Sequence, residues 1–460
     1  MVFLTLTLSL LLAPQKPEPA SPSSKEEVVT EAAIQAVAAK VKEILPRVAK
    51  LRGREFKKGV PSGVKTPDQF MEFAKANMDE EYGEGKFEAW TKAYRLFGFI
   101  GGEDDLESLF AELLRGQVGG WYDPAEARFW MVSTYNKGGM ADIIMAHELT
   151  HALDDQYYDL AGMMEAAIEM DSDAQFGLRA VVEGSGTSLM NLYTIKGMMS
   201  GWLKLDPAEM QEMMAEQAET LETAPYFLVI SLTLPYLAGN RFLLRTTDAM
   251  AATMTPPTLD DLDQAFANPP VSSEQVLHPE KYWDPKKVDL PKPVAIPDLS
   301  ANLGKGWKLL DEDVMGELGV YVLCEEELPD LMSMEGQMSS MTSKASAGWG
   351  GDLYQVYGGP ADASLLCWAS VWDSKKDRDE FLLAVEDVVQ HHCPRLEDRR
   401  LASRTFHSLL RCPEGSPHGL GLSAGFGRGS LERDSASWGW RVSYYQCSPV
   451  SALLIVSSTF

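Results

Sequence analysis

Apolar residues recur at helical intervals over most of the first 250 positions. In KEEVVTEAAIQAVAAKVKEILPRVAKLR (25–52), Val28, Ala32, Ile34, Val37, Val41 and Leu45 fall at near-helical spacing, which predicts an amphipathic helix with one face for a core. Similar patterns run over 66–82, 86–97 and 104–115. The texture then switches. GQVGGWYDP (116–124) and ARFWMVS (127–133) are short, aromatic and separated by an Asp-Pro turn, which predicts two short strands. Helical spacing returns over 139–160, 170–192 and about 206–250. Within the last of these, APYFLVISLTLPYLAG (224–239) is apolar but carries Pro225 and Pro235 and is short for a bilayer span. It is expected as a helix buried in a core, so no transmembrane span is expected.

Residues 255–300 are proline-rich, with Pro-Pro pairs at 256 and 269, and are expected as a wrapping arm or linker. Beyond 301 the pattern is mixed: GVYVLC (319–324) and SLLCWASVW (364–372) are strand-like, and KDRDEFLLAVEDVVQ (376–390) is helix-like. A chain of 460 residues exceeds one ordinary core. The expected fold class is α+β and mostly helical, with one domain over 28–254 and a smaller α+β domain over 301–460. No internal repeat is present.

Two features at the start bear on location. VFLTLTLSLLL (2–12) is an apolar run ending at Ala13-Pro14, the length of a signal-peptide core, although no positive charge precedes it. Residues 14–27 form a Pro/Ser/charge-rich linker of the kind that follows a cleavage site. The expectation is a signal peptide over 1–13 and an exported protein (periplasmic, envelope-bound or extracellular); the alternative is a simple apolar tail.

Composition changes the picture in two ways. The 41 Lys+Arg against 67 Asp+Glu give a net charge of −26. A surface that acidic repels phosphate backbones, so nucleic acid is not expected as a partner. The five cysteines, Cys324, Cys367, Cys393, Cys412 and Cys447, all lie in the last third, and none forms a CxxC pair, so a cysteine zinc site is not expected. Export would allow one or two disulfides there, whereas an intracellular setting would keep five thiols.

The chemistry concentrates in IIMAHELTHALDDQYY (143–158). On a helix, His147 and His151 are four apart and share a face, so both imidazoles address one locus. Imidazole nitrogens suit zinc at about 2.0–2.1 Å. Glu148 projects beside that locus, where it can take a proton from an activated water and pass it to a leaving amine. Ile143, Ile144, Ala146, Leu149 and Ala152 make the helix a mostly buried one, and buried imidazoles and carboxylates need partners. Catalytic zinc takes three protein ligands and keeps a position open. The metzincin spacing is excluded, since Tyr157 stands where its third histidine falls and Asp154 replaces its glycine. An acidic third ligand from a following helix is therefore expected. Glu183, in LRAVVEGSGTSLMNLY (178–193), is the best candidate. Apolar Ala180, Val181 and Val182 precede it, and Gly184, Ser185 and Gly186 follow, small enough to let two helices approach closely.

HELTHALDDQ with a helical glutamate about thirty residues later resembles the gluzincin branch of zinc metallopeptidases. The nearer likeness is to a group of largely uncharacterised bacterial and archaeal zinc peptidases. It rests on GWYDP, RAVVEG, PYLAGNRF (235–242), SSEQVLHPEKY (272–282) and GWGGDLY (348–354), and covers roughly 110–450. The resemblance implies a zincin-like catalytic domain, one zinc ion per chain on His147, His151 and Glu183, Glu148 as general base, and a peptide or protein substrate. It also implies substrate binding along an edge strand beside the metal helix, for which ARFWMVS is the candidate, and an oxyanion donor, for which Tyr236 and His278 stand in shared stretches. Thr187 departs from the aspartate that many gluzincins place four residues after the ligand glutamate. Asp155 either takes over the orienting of a histidine or is a solvated helix charge. Two other readings stay open: a non-catalytic envelope or interaction protein with a structural zinc site, and a zinc hydrolase of non-peptide substrates. The helices of 25–110 are either a propeptide-like cover or, as their amphipathic faces favour, part of the catalytic domain.

Overall fold

The computed structural model describes residues 29–82, 85–135, 138–208, 224–246, 253–325, 328–330, 336, 339–392, 433–435, 438–448 and 451–459. The expected signal peptide (1–13) and linker (14–27) lie outside the described residues. The chain divides into two compact units, the first Met1–Gly83, Glu107–Asp289 and Pro329–Ser340, the second Glu84–Leu106, Leu290–Leu328 and Met341–Phe460. The fold is α+β and predominantly helical.

The first unit is built around a helix with no exposed side. Helix α1 (Glu31–Arg52) starts at Thr30, whose hydroxyl accepts the Ala33 N–H, and ends at left-handed Gly53. Its core stripe is Val37, Val41, Ile44 and Val48; Leu45, expected in the core, is only half-buried. The chain then forms β1 (Ser62–Lys65), α2 (Pro67–Tyr82), β2 (Gly120–Asp123) and β3 (Arg128–Val132). Helix α3 (Gly138–Tyr158) follows, buried continuously from Ala141 to Asp154. Apolar residues of α1, β3 and α3 share one core with Leu189, Met190 and Tyr193 of the next long helix. The N-terminal helix is thus part of the unit's core. Lys40 pairs with Asp142 at 3.3 Å and Arg52 with Asp154 at 3.0 Å, and both pairs join residues 102 apart. Helices α1 and α3 therefore run parallel and in register.

Helix α4 (Ser172–Ser200) is capped by the Asp171 carboxylate, which accepts the Ala174 N–H at 2.8 Å, and by left-handed Gly201. Helix α5 (Tyr226–Leu244) crosses it at glycines. A Cβ on Gly239 would stand 1.9 Å from the Ala180 carbonyl oxygen, and one on Gly184 2.3 Å from the Gly239 carbonyl carbon. Among the described residues α5 is the one helix long and apolar enough to cross a membrane, yet most of it is buried inside the fold, as a core helix is.

The three strands order as β1-β3-β2, with β1 parallel and β2 antiparallel to β3. ARFWMVS was expected to offer a free edge. It is instead the central strand, paired on both sides, and β2 is the edge that faces α3.

The arm expected over 255–300 does not stand apart as far as Asp289. Thr258 and Ser272 cap the short helices Leu259–Ala267 and Ser273–Leu277. Phe266 stacks on Tyr158 with centroids 4.1 Å apart. Lys281 then bonds Glu274 at 2.5 Å and Asp289 at 3.0 Å, and the Gln275 amide donates to the Asp289 carbonyl. The Lys281 and Gln275 bonds brace the segment internally, while the Phe266–Tyr158 stack and the Trp283 indole, which donates to the Phe242 carbonyl at 2.9 Å, seat it on the domain.

The second unit holds a six-stranded sheet. It comprises β4 (Lys308–Asp313), β5 (Trp349–Gly358), β6 (Ser364–Trp372), β7 (Arg433–Ser435), β8 (Trp438–Ser448) and β9 (Ser451–Thr459), ordered β4-β5-β6-β9-β8-β7. Only β6 and β9 run parallel. The helix Lys86–Phe97, expected with the first domain, belongs here: Phe97 packs edge-on against Tyr354 and Trp368, both at 5.4 Å. GVYVLC, expected as a strand, lies in helix α6 (Gly316–Cys324). Its first turn is capped from a distance by buried Asp352, which accepts the Met315 and Gly316 N–H groups and the indoles of Trp349 and Trp368 at 2.8–3.0 Å. Cys324 and Cys367 are buried free thiols, and Cys393 and Cys412 lie outside the described residues.

The glycine crossing is open to test. Alanine at 239 would add helix propensity worth about 1 kcal/mol, but its Cβ meets a backbone oxygen that cannot give way alone. Gly239→Ala is expected to lower stability by roughly 2–3 kcal/mol in urea denaturation; a variant as stable as the parent would contradict the close approach.

Candidate metal centre

Helix geometry sets the first two donors. His147 and His151 lie one turn apart on α3, with Nε2 atoms 2.8 Å from each other. Glu183, near the middle of α4, brings Oε2 to 3.1 Å from His147 Nε2 and 3.5 Å from His151 Nε2. Both imidazoles are fully buried and Glu183 nearly so. The sequence-predicted triad therefore converges. Gly186 makes this possible, since a Cβ there would lie 2.7 Å from His147 Nε2 and 2.9 Å from His151 Cε1. Only a residue without a side chain lets the α4 backbone pass this close to the rings.

The donors fit a small divalent ion. Four ligands placed tetrahedrally about 2.1 Å from zinc are about 3.4 Å apart, and the observed edges of 2.8, 3.1 and 3.5 Å bracket that value. Two imidazole nitrogens and a carboxylate are also the donor types zinc takes. Burial alone would raise the Glu183 carboxyl, but hydrogen bonds and charge from His147 and His151 outweigh it and hold the group below its ordinary range. An anionic carboxylate is the form that binds metal.

Glu148 does not join the three. It is fully buried, and its Oε2 accepts the backbone N–H of Tyr122 at 2.7 Å. Tyr122 belongs to the GWYDP strand β2, so the edge strand holds the carboxylate beside the donors. The Tyr122 phenol also bonds Asp155 at 2.8 Å, and the other Asp155 oxygen accepts the Leu160 N–H at 3.0 Å. Asp155 thus pins the strand and the next helix rather than a histidine. Neither histidine Nδ1 has a hydrogen-bond partner among the described residues, and the same holds for the Thr187 hydroxyl.

Of the two oxyanion candidates, Tyr236 reaches the centre. Its ring stacks on that of His147 with centroids 5.6 Å apart. Burial, with the charges of Glu183 and Glu148, pushes its hydroxyl well above the ordinary value, so it remains a donor. His278 instead closes the helix Ser273–Leu277, where its backbone N–H donates to the Glu274 carbonyl at 2.8 Å.

Sequence reasoning missed Tyr122, although GWYDP stood out, and also Arg52, which binds Asp154 and Ser185 beneath the donors. A basic residue in a last helical turn looks like an ordinary helix-end charge, so Arg52 gives no signal.

These features define a His-His-Glu donor set with a buried carboxylate alongside. A profile of a domain-of-unknown-function family, DUF8575, matches residues 308–416, under a quarter of the chain and a range that includes none of the donors. No curated protein and no solved structure matches the chain.

The tight passage at residue 186 makes a prediction independent of metal. Gly186→Ala is expected to shift the imidazole nitrogen resonances of His147 and His151, leave the other five histidines in place, and cost about 1–2 kcal/mol of stability. Unmoved resonances would contradict the contact.

Proposed function

We propose that this chain is a zinc-dependent peptidase of the HExxH type, resembling the gluzincins, with His147, His151 and Glu183 as metal ligands and Glu148 as general base. The observation that supports this most is the convergence of three donors of zinc-binding type, at tetrahedral spacing, beside a separately held carboxylate. Zinc bound there supplies a Lewis acid that makes water a nucleophile near neutral pH.

The chain's own residues do the rest. Glu148 takes the proton from the attacking water and delivers it to the leaving amine, and the Tyr122 N–H keeps its carboxylate aimed. Tyr236 holds a protonated phenol at the centre, where it can donate to the developing oxyanion. The substrate class is peptide or protein. The start of the chain points to export of the enzyme, and its net charge of −26 argues against nucleic acid.

A second reading draws on burial. His147, Glu148 and His151 are all fully enclosed, and enclosure suits a structural zinc that staples helices. Three candidate metal ligands, with Glu148 held beside them rather than among them, favour catalysis.

The purified protein is expected to carry one zinc per chain. Glu148→Gln is expected to retain that zinc while hydrolysis of a casein-like substrate falls by about 10²-fold or more. Equal rates in variant and parent would contradict the mechanism. A chelator is expected to silence the enzyme without unfolding it; loss of the far-ultraviolet dichroism on chelation would establish the staple instead.

A further inference from the structure

We propose that Arg52 is a positioning residue of the metal centre, which through Asp154 and Ser185 fixes the spacing of the two helices that carry the donors. The proposal rests on reading His147, His151 and Glu183 as metal ligands.

One guanidinium nitrogen, Arg52 Nη2, donates to Asp154 Oδ2 at 3.0 Å and to Ser185 Oγ at 2.6 Å. The Ser185 hydroxyl donates in turn to the same carboxylate oxygen at 2.5 Å. All three residues are buried. Asp154 stands three residues past His151 on α3, and Ser185 two residues past Glu183 on α4. A closed triangle of polar contacts therefore lies about one turn beyond the triangle of donors, across the same pair of helices. Gly186, adjacent to Ser185, packs against the rings themselves. The triangle adds a polar tie between the two helices to the apolar core they share. With it loosened, non-directional apolar packing would be left to set their spacing at this level, and a displacement of about 0.5 Å spoils a ligand set.

The position of Arg52 separates this role from simple stabilisation. The parallel Lys40–Asp142 pair also ties α1 to α3, but it lies at the far end of the register, does not engage α4, and is partly exposed. Arg52 joins three helices at the level of the centre. A buried ion pair is moreover weak evidence for stability, since an apolar replacement can be neutral. Metal affinity is the property it is placed to control.

The test is Zn²⁺ affinity of the full chain by competition with a chromophoric chelator, with thermal unfolding of the metal-free protein alongside. Arg52→Met is expected to weaken Zn²⁺ binding tenfold or more, the scale on which supporting residues act. Ser185→Ala, a mild change that should fold whatever Arg52→Met does, is expected to weaken it severalfold. Arg52→Lys, which keeps a cation for Asp154, is expected to restore part of the loss. Folded variants that bind Zn²⁺ as tightly as the parent, at whatever thermal stability, overturn the positioning role and leave the metal reading standing. A parent that takes up no Zn²⁺ overturns both.

Discussion

Two imidazole nitrogens 2.8 Å apart, with a carboxylate oxygen 3.1 Å from one of them and all three side chains buried, form a polar cluster inside an apolar core, and such a cluster must be satisfied from within. Most of what is unusual in the first unit follows from assembling that cluster. Helix α3 is buried from Ala141 to Asp154, so its two histidines are walled in by α1, the small sheet and α4. Helix α4 approaches it over Gly186 and backs onto α5 at the Gly184–Gly239 crossing. Larger side chains at these places would pack more apolar surface but would move the donors apart. Close approach has been favoured over side-chain volume here.

The same logic extends outward to the other buried charges. Each carboxylate on the helix has its own donors: Glu148 the backbone of β2, half-buried Asp155 the phenol of Tyr122 and the start of the next helix, Asp154 the side chains of Arg52 and Ser185. A buried carboxylate without such donors would cost several kcal/mol or take up a proton. The helix that supplies the histidines is thus bound by polar contacts to four neighbours, and a chemical centre built on it inherits their rigidity. In the second unit Asp352 repeats the device, gathering four N–H donors where a helix begins.

The donor set was legible because helix periodicity alone places His147 beside His151, and because an apolar flank and small residues mark Glu183 as facing inward. Helix spans were legible for the same reason, from α1 to the helix Lys375–His392. Strand order was not. ARFWMVS and GWYDP are equally aromatic, and only the parallel pairing of β1 with β3, set by a distant segment, puts ARFWMVS in the middle. GVYVLC has the β-branched content of a strand, and its helical state depends on Asp352, 36 residues beyond Gly316. Residues 255–289 have the proline content of a linker, and their seating depends on Phe266 and Trp283, each looking like an ordinary surface or core residue. Local pattern carried the elements and the two histidines; contacts between remote residues decided the rest.

The most direct measurement is an anomalous difference map at the zinc absorption edge, from crystals of the full chain grown with Zn²⁺. The account predicts one strong peak about 2.0–2.2 Å from His147 Nε2, His151 Nε2 and a Glu183 carboxylate oxygen. A map with no peak between α3 and α4, or with the zinc bound elsewhere and Glu183 turned away, would contradict it.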